Sequence, residues 1–286
     1  MKVICIGNVT YDITLPVNEF IKENKKYRLN KKIESGGGPA SNACFALGKW
    51  GIKPYIAGII GNDEFGKKII KEFKSANINL KYLEIKNNYN TTTSIIINNK
   101  KNGSRTVLAY KPNNQKLQEI NEQFDIILAD GQEYKVSYDL IKNNKNAISI
   151  IDAGRYTKEI IKLAKICNYV ICSLDFAINL TKTTNYELMY KKLEQIFKGT
   201  IIVTLEEKGT LVKINKKIQV IPTIKVKAID TTGAGDIYHA AFIYGLIQKW
   251  DLEKIIKFSN KAASLSVTKL GTRASVFQIE EINGYK

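Results

Sequence analysis

Short apolar, β-branched runs alternate with longer stretches of helical periodicity along most of this chain. The alternation predicts an α/β fold with a mostly parallel sheet. A strand buried on both faces reads as a continuous apolar run, and the crossover to the next parallel strand needs a helix. Val3–Gly7 reads as the first strand and Pro39–Trp50 as a helix carrying Ala43, Ala46, Leu47 and Trp50 on one face. Tyr55–Ile60 reads as a strand and Asp63–Ala76 as a helix. Asp125–Ala129, Ala147–Asp152, Tyr169–Cys172 and Ile201–Leu205 read as compact strands, each followed by a polar or helical stretch. Two helices are expected in the final third, near Ala234–Lys249 and Leu252–Leu270. Two segments break the rhythm. Ile13–Pro16 with Tyr27–Glu34, and Thr91–Asn98 with Ser104–Tyr110, alternate polar and apolar residues, and the second pair is joined by a Lys-Asn-Gly turn. They predict a small sheet projecting from the main one, over about 13–34 and 91–110 of a single domain spanning 1–286. The simpler alternative is that these hairpins extend the central sheet.

The strongest chemical signal is Asp230-Thr231-Thr232-Gly233-Ala234-Gly235-Asp236, followed at once by the helical run Ile237-Tyr238-His239-Ala240-Ala241-Phe242. A Gly-Ala-Gly turn opening a helix presents unpaired backbone N–H groups, and the helix dipole adds partial positive charge. Together they suit a phosphate or a developing anion, and the small residues let the backbone approach its oxygens closely. Asp236 stands directly after the turn, where a carboxylate would repel a bound phosphate. Its chemical use there is as a base that accepts the proton of an attacking hydroxyl. Asp12 and Asn42 are short polar groups at the ends of apolar segments, suited to vicinal hydroxyls. From the residues alone they read equally well as a turn aspartate and a helix-start asparagine.

These motifs resemble those of the PfkB (ribokinase-like) carbohydrate kinases. Asp230–Asp236, with Tyr238 and Ala240-Ala241-Phe242, is similar to the family's C-terminal signature. Gly36-Gly37-Gly38-Pro39-Ala40-Ser41-Asn42-Ala43, ending Gly48-Lys49-Trp50-Gly51, is similar to its N-terminal one. Gly7-Asn8 with Asp12, Gly61-Asn62-Asp63-Glu64-Phe65-Gly66 and Gly103-Ser104-Arg105-Thr106 carry the resemblance over nearly the whole chain. It implies a ribokinase-like central, mostly parallel sheet flanked by helices, with a small projecting β-sheet lid. It also implies ATP-dependent phosphotransfer to a sugar hydroxyl, with Asp236 as general base and the amides of Gly233, Ala234 and Gly235 as anion hole. Asp12, Gly37, Gly38 and Asn42 would bind the substrate hydroxyls, and Asn24 and Arg105 would reach the substrate from the lid. Thr204, Gly209 and Asn260 would lie beside the nucleotide, with the Thr268–Gly271 loop, Gly271 included, over the adenine. Mg²⁺ would accompany ATP. Asp230 stands where K⁺-activated members hold the monovalent ion, and a homodimer would form through the lid strands.

Two departures stand out. The family's Asn-x-x-Glu is Ser173-Leu174-Asp175-Phe176 here, and its Thr-x-Gly is Thr204-Leu205-Glu206. The glycine motif also lacks the lysine expected for a substrate already phosphorylated, which favours a free sugar. The Gly-Ser-Arg-Thr motif looks like that of ketohexokinases, so a ketose such as fructose comes first and ribose next. A nucleoside acceptor would want aromatic faces in the lid, and Phe20, Tyr27 and Tyr89 leave it open. A non-catalytic ligand-binding or nucleic-acid-binding protein of the same fold is a third reading, opposed by the intact Asp236 and glycine turn.

Composition narrows these classes. At 286 residues, 44% hydrophobic and 25% charged, the chain can bury a sizeable core. A net charge of +17 suggests nucleic acid, but the lysines are spread throughout, arginine is scarce, and there is no basic tail or aromatic-interleaved stripe. The field would instead attract anionic ATP. No apolar run approaches the roughly 20 residues of a membrane span. Cys5, Cys44, Cys167 and Cys172 sit in apolar segments without metal spacing, which predicts buried thiols and a cytoplasmic setting. Gly61–Lys68 falls one residue short of a P-loop, with Lys68 in place of the metal-binding hydroxyl. His239 is expected to pack or hydrogen-bond, and Arg155 either faces a ligand or is a loop charge.

Overall fold

The computed structural model describes residues 1–112 and 115–285. Among them a large sheet contains β1 (Val3–Ile6), β4 (Tyr55–Gly61), β5 (Asn79–Lys86), β8 (Ile126–Ala129), β9 (Ile148–Ala153), β10 (Tyr169–Ser173), β11 (Thr200–Thr204), β12 (Thr210–Ile214) and β13 (Lys217–Ile221). Their order is β13-β12-β11-β10-β9-β8-β1-β4-β5. From β11 to β5 every pairing is parallel, and β12 and β13 turn antiparallel at one edge. The period-two geometry of a strand sorts β1 between two cores. Val3 and Cys5 join the core that contains α1 (Pro39–Lys49), α7 (Ala234–Ile247) and α8 (Leu252–Ser266). Ile4 and Ile6 join the core of α3 (Tyr134–Asn143), α4 (Lys158–Ala164), α5 (Leu174–Thr181) and α6 (Tyr186–Ile196). Both α1 and α7 are buried along most of their length, which is why their sequences are apolar or small on nearly every side. All four cysteines are free and buried.

The second sheet is separate, so the hairpins do not extend the central one. It comprises β2 (Thr10–Val17), β3 (Ile33–Gly37), β6 (Thr92–Asn99) and β7 (Arg105–Tyr110), in the order β3-β2-β6-β7. A parallel β2–β6 pairing unites the two predicted hairpins. Two expectations change here. Residues 27–32 are an exposed loop rather than strand: the alternation there rests on Tyr27 and Leu29 alone, and both stay exposed among lysine, arginine and asparagine. The strands β5, β12 and β13 were not expected; two of them are edge strands, and polar positions interrupt their apolar residues. No helix among the described residues is long and apolar enough to cross a membrane.

Candidate active site

The helix α7 begins at Ala234, and its N-cap Gly233 takes φ 77°, a left-handed conformation that glycine adopts without strain. Thr272 packs against Gly233 so closely that a Cβ there would lie 2.0 Å from its Cγ2. A Cβ at Gly235, by contrast, would meet nothing within 4 Å. The first-turn amides have no partners within the helix itself; among the described residues only that of Ala234 is partly engaged, 3.5 Å from the Thr231 carbonyl. The helix start is therefore an open cradle. Asp236 lies in the same turn, partly exposed, and its Oδ2 accepts from Asn42 Nδ2 at 2.8 Å. Desolvation of this carboxyl by the groups packed around it pushes its pKa up to about 6. The nearby Asp152 adds to the rise, while Asn42, His239 and Arg105 pull it back. The imidazole of His239 points Nδ1 at the Gly235 carbonyl, 2.6 Å away, so this residue packs and hydrogen-bonds as expected.

Asn42 links this turn to the predicted acceptor residues, which cluster around Asp12 and the start of α1. Asp12 is buried on β2 and accepts from the Thr10 hydroxyl at 2.8 Å; burial raises its pKa, with Thr10, Ser94 and Arg273 opposing. A Cβ at Gly37 would lie 2.0 Å from an Asp12 oxygen, so glycine there lets the Asp12 carboxylate lie against the backbone. Gly38 caps α1 at φ 94°, with the Asn8 carbonyl where its Cβ would stand. Asn42, one turn into α1, is 3% exposed. Arg105 reaches across from β7 and donates to the carbonyl and hydroxyl of Thr231, ahead of the cradle. Asn24 behaves differently: it sits at φ 58° in the exposed loop after β2 and hydrogen-bonds to none of these residues. A cavity of about 630 Å³ opens beside the site, lined by Asn8, Pro39, Asp130, Asp152 and Arg155 among others, so Arg155 faces a cavity.

On the other flank, Thr204 ends β11, and Gly209 takes φ 102° where the Ile221 carbonyl leaves no room for a side chain. Asn260 is committed elsewhere. Its oxygen accepts from Thr210 at 2.6 Å and its amide donates to the carbonyls of Ile221 and Pro222, which stitches α8 to β12 and the end of β13. Gly271, at φ 84°, donates its amide to Asp230 Oδ2 at 3.0 Å. Asp230 is 1% exposed and also accepts from Thr232 N and Asn98 Nδ2, yet it has no ion-pair partner among the described residues. The buried Asn98 Oδ1 and Thr232 Oγ1 beside it have no partner among the described residues either. A buried carboxylate flanked by orphaned oxygens suits a monovalent cation.

Comparison with known proteins decides the family. The model of the pfkB family of carbohydrate kinases matches residues 1–279. The chain belongs to this family. It is 27% identical to a ribokinase of Staphylococcus aureus, over 99% of this chain and 98% of that protein. It is 25% identical to a nucleoside kinase of Methanocaldococcus jannaschii, over 96% and 93% of the two chains. A ribokinase of Arabidopsis thaliana, solved with ribose and ATP, shares the fold with a TM-score of 0.82, at 21% identity and over 100% and 99% of the chains.

As a pfkB-family protein, the chain departs from pattern in ways the structure explains. Phe176, in place of the glutamate, is 1% exposed and packs near Phe197 and Tyr156, while the neighbouring Asp175 is exposed. Glu206, in place of a glycine, still takes the left-handed φ of 55°. The near P-loop is occupied by protein: Asp63 accepts from Gly66 N and from the amide and hydroxyl of Thr91 at the start of α2 (Glu64–Ser75). That carboxylate stands where a phosphate would bind. Sequence reasoning missed Asp152, Ser41, Glu72 and Arg273, all of which reach the site only through long-range packing.

Proposed function

We propose that this protein is an ATP-dependent kinase that moves the γ-phosphoryl group of ATP to a hydroxyl of a free sugar, with Asp236 as general base. The observation that carries the proposal is a partly exposed carboxylate of raised pKa beside an open, glycine-built helix start. Asp12 and Asn42, with the backbone of Gly37 and Gly38, would anchor the acceptor. Its O–H bond breaks as Asp236 takes the proton, the new O–P bond forms, and the bond from the γ-phosphorus to the bridging oxygen breaks to release ADP. The amides of Gly233, Ala234 and Gly235 would offset the charge on the transferring group. Arg105 would close over the site, and Thr204, Gly209 and Gly271 would flank the nucleotide. Asn260 would shape that flank without touching it, and Asn24 would reach the acceptor only after a lid movement.

Among the described residues no three His, Cys, Asp or Glu side chains gather as a metal site. Mg²⁺ would arrive on the ATP phosphates. Once bound it neutralises charge on the phosphates. The Asp230 turn fits K⁺. The whole chain, 1–286, would act as one unit with the small sheet as lid. The fully exposed outer strand β7 supports a homodimer through that sheet, and four unpaired buried thiols accord with a cytoplasmic setting.

Similarity to ribokinases supports ribose ahead of fructose as acceptor, and similarity to a nucleoside kinase supports a nucleoside acceptor as the second reading. An ADP-release screen over free pentoses, ketohexoses and nucleosides, with and without K⁺, tests the proposal. Turnover of a free sugar is expected. Activity confined to nucleosides favours the second reading, and absence of turnover with every acceptor rejects both.

A further inference from the structure

The residues framing the acceptor groove share one buried cation. Arg273 lies in the short 3-10 turn Arg273–Ser275. Its side chain is 4% exposed and sandwiched between Phe45 and Phe73, with the guanidinium carbon 4.9 Å from each ring centroid. Its donors divide three ways. Nη1 binds Glu72 at 2.6 Å, Nη2 binds the Ser41 hydroxyl at 2.6 Å, and Nε faces Asn42 Oδ1 at 3.4 Å. Glu72 in turn accepts from the Gly36 amide at 3.1 Å. A Cβ at Gly36 would lie 2.1 Å from Arg273 Nη1, so glycine there is the condition for the guanidinium's approach.

We propose that Arg273 is a positioning residue of the phosphotransfer site: it holds the Asn42 amide with its oxygen inward and its NH₂ on Asp236, and it locks the end of β3 to the start of α1. An amide has one accepting end and one donating end. With the guanidinium against Oδ1, only Nδ2 is left to face the base. A flipped amide would set an N–H against a buried cation and an oxygen against a carboxylate, and both contacts repel. Lysine would keep the charge and the bond to Glu72 but lacks the planar fork that serves three partners at once. The consecutive residues Gly271, Thr272 and Arg273 touch Asp230, Gly233 and Asn42 respectively. One short stretch thus ties the cation turn, the cradle and the acceptor groove into a single unit.

The role rests on Asp236 as base, so the test uses a readout that needs no turnover. The Asp236 carboxyl is titrated by NMR in [¹³C]aspartate-labelled protein and assigned by its loss in Asp236→Asn. The charged and polar groups facing Asp236 are Asn42 on α1, Asp152 on β9, His239 on α7 and Arg105 on β7. Arg273→Lys and the neutral pair Arg273→Met/Glu72→Gln are each expected to raise the Asp236 pKa, because the carboxylate loses an ordered donor. Asn42→Ala should raise it as far, and adding Arg273→Lys to Asn42→Ala should raise it no further. With ATP and D-ribose, Arg273→Lys should lower kcat by about tenfold, one hydrogen bond's worth, and leave the KM for ATP unchanged. An unmoved Asp236 pKa in Arg273→Lys, or an equal shift with and without Asn42, overturns the proposal. Should the neutral pair fail to fold, Arg273→Lys decides alone, because it retains the buried charge.

Discussion

Replacing Gly235 by alanine separates what the fold needs from what the reaction needs. The residue lies in the first turn of α7, its φ is not left-handed, and an added Cβ would meet no protein atom within 4 Å. As a matter of folding, the substitution removes a flexible residue from a helix and should stabilise by about 0.5–1 kcal/mol. For a chain of this size that raises Tm by about 1–3 °C. As a matter of chemistry, the methyl enters the space in which the anion would rest and pushes it off the amides. Loss of one oxyanion donor costs about 10²–10³ in kcat, or about 2.7–4 kcal/mol of transition-state stabilisation. Scanning fluorimetry and a coupled ADP-release assay read the two effects on one protein sample. A variant that is more heat-stable and nearly inactive fits the cradle. A Gly235→Ala enzyme with wild-type kcat and KM would mean that the open space at the helix start holds no reacting group, and the mechanism would fall with it.

Asp236→Asn should lower kcat by about two to four orders of magnitude with little change in the KM for ATP, and a variant keeping most of its turnover rules out the base. The kcat of the unaltered enzyme should fall as pH drops through about 6, where Asp236 gains its proton. The same shift has a stability sign. The folded pKa exceeds the ordinary 3.8, so the ionised carboxylate increasingly disfavours the fold as pH rises between the two values. Asp236→Asn should therefore melt above the parent at pH 7.5, with the gap closing toward pH 4; a gap that widens on acidification contradicts the assignment. If the Asp230 turn holds K⁺, Tm should be higher in 100 mM KCl than in 100 mM choline chloride, as binding to the folded state alone requires. Equal melting in the two salts would remove the ion from the site.

What the sequence made legible follows the range of the interactions involved. The cradle is written in consecutive residues, and a Gly-Ala-Gly turn before an aspartate needs nothing distant to be understood. The strands β1, β8 and β10 announced themselves because both faces are buried and every position is apolar or nearly so. The parallel pairing of β2 with β6 could not be read, since the match of Asp12 to Ser94 spans most of a subdomain and leaves no local trace. Asn260 shows a different limit. Sequence does not say what a buried asparagine's amide meets, and here it donates to the carbonyls of Ile221 and Pro222.

The supporting layer of the site lay deeper still, yet one signal pointed to it. Asn42 meets Asp236 across 194 positions and Arg273 meets Ser41 across 232, distances at which spacing carries no information. The chain holds 44 basic residues, and only four of them, Arg28, Arg105, Arg155 and Arg273, are arginine. Where lysine is the default cation, an arginine marks a place that lysine cannot serve: a planar, multidentate or desolvated contact. Two of the four fit that rule. Arg105 grips Thr231 with two bonds, and Arg273 divides its fork among Glu72, Ser41 and Asn42. Arg155 is exposed and only lines the cavity shared with Asp152, and Arg28 lies in the exposed loop. In a lysine-rich chain a rare arginine is therefore a place to look for such a contact, and here two of them flank the candidate site, a signal of geometry rather than of motif.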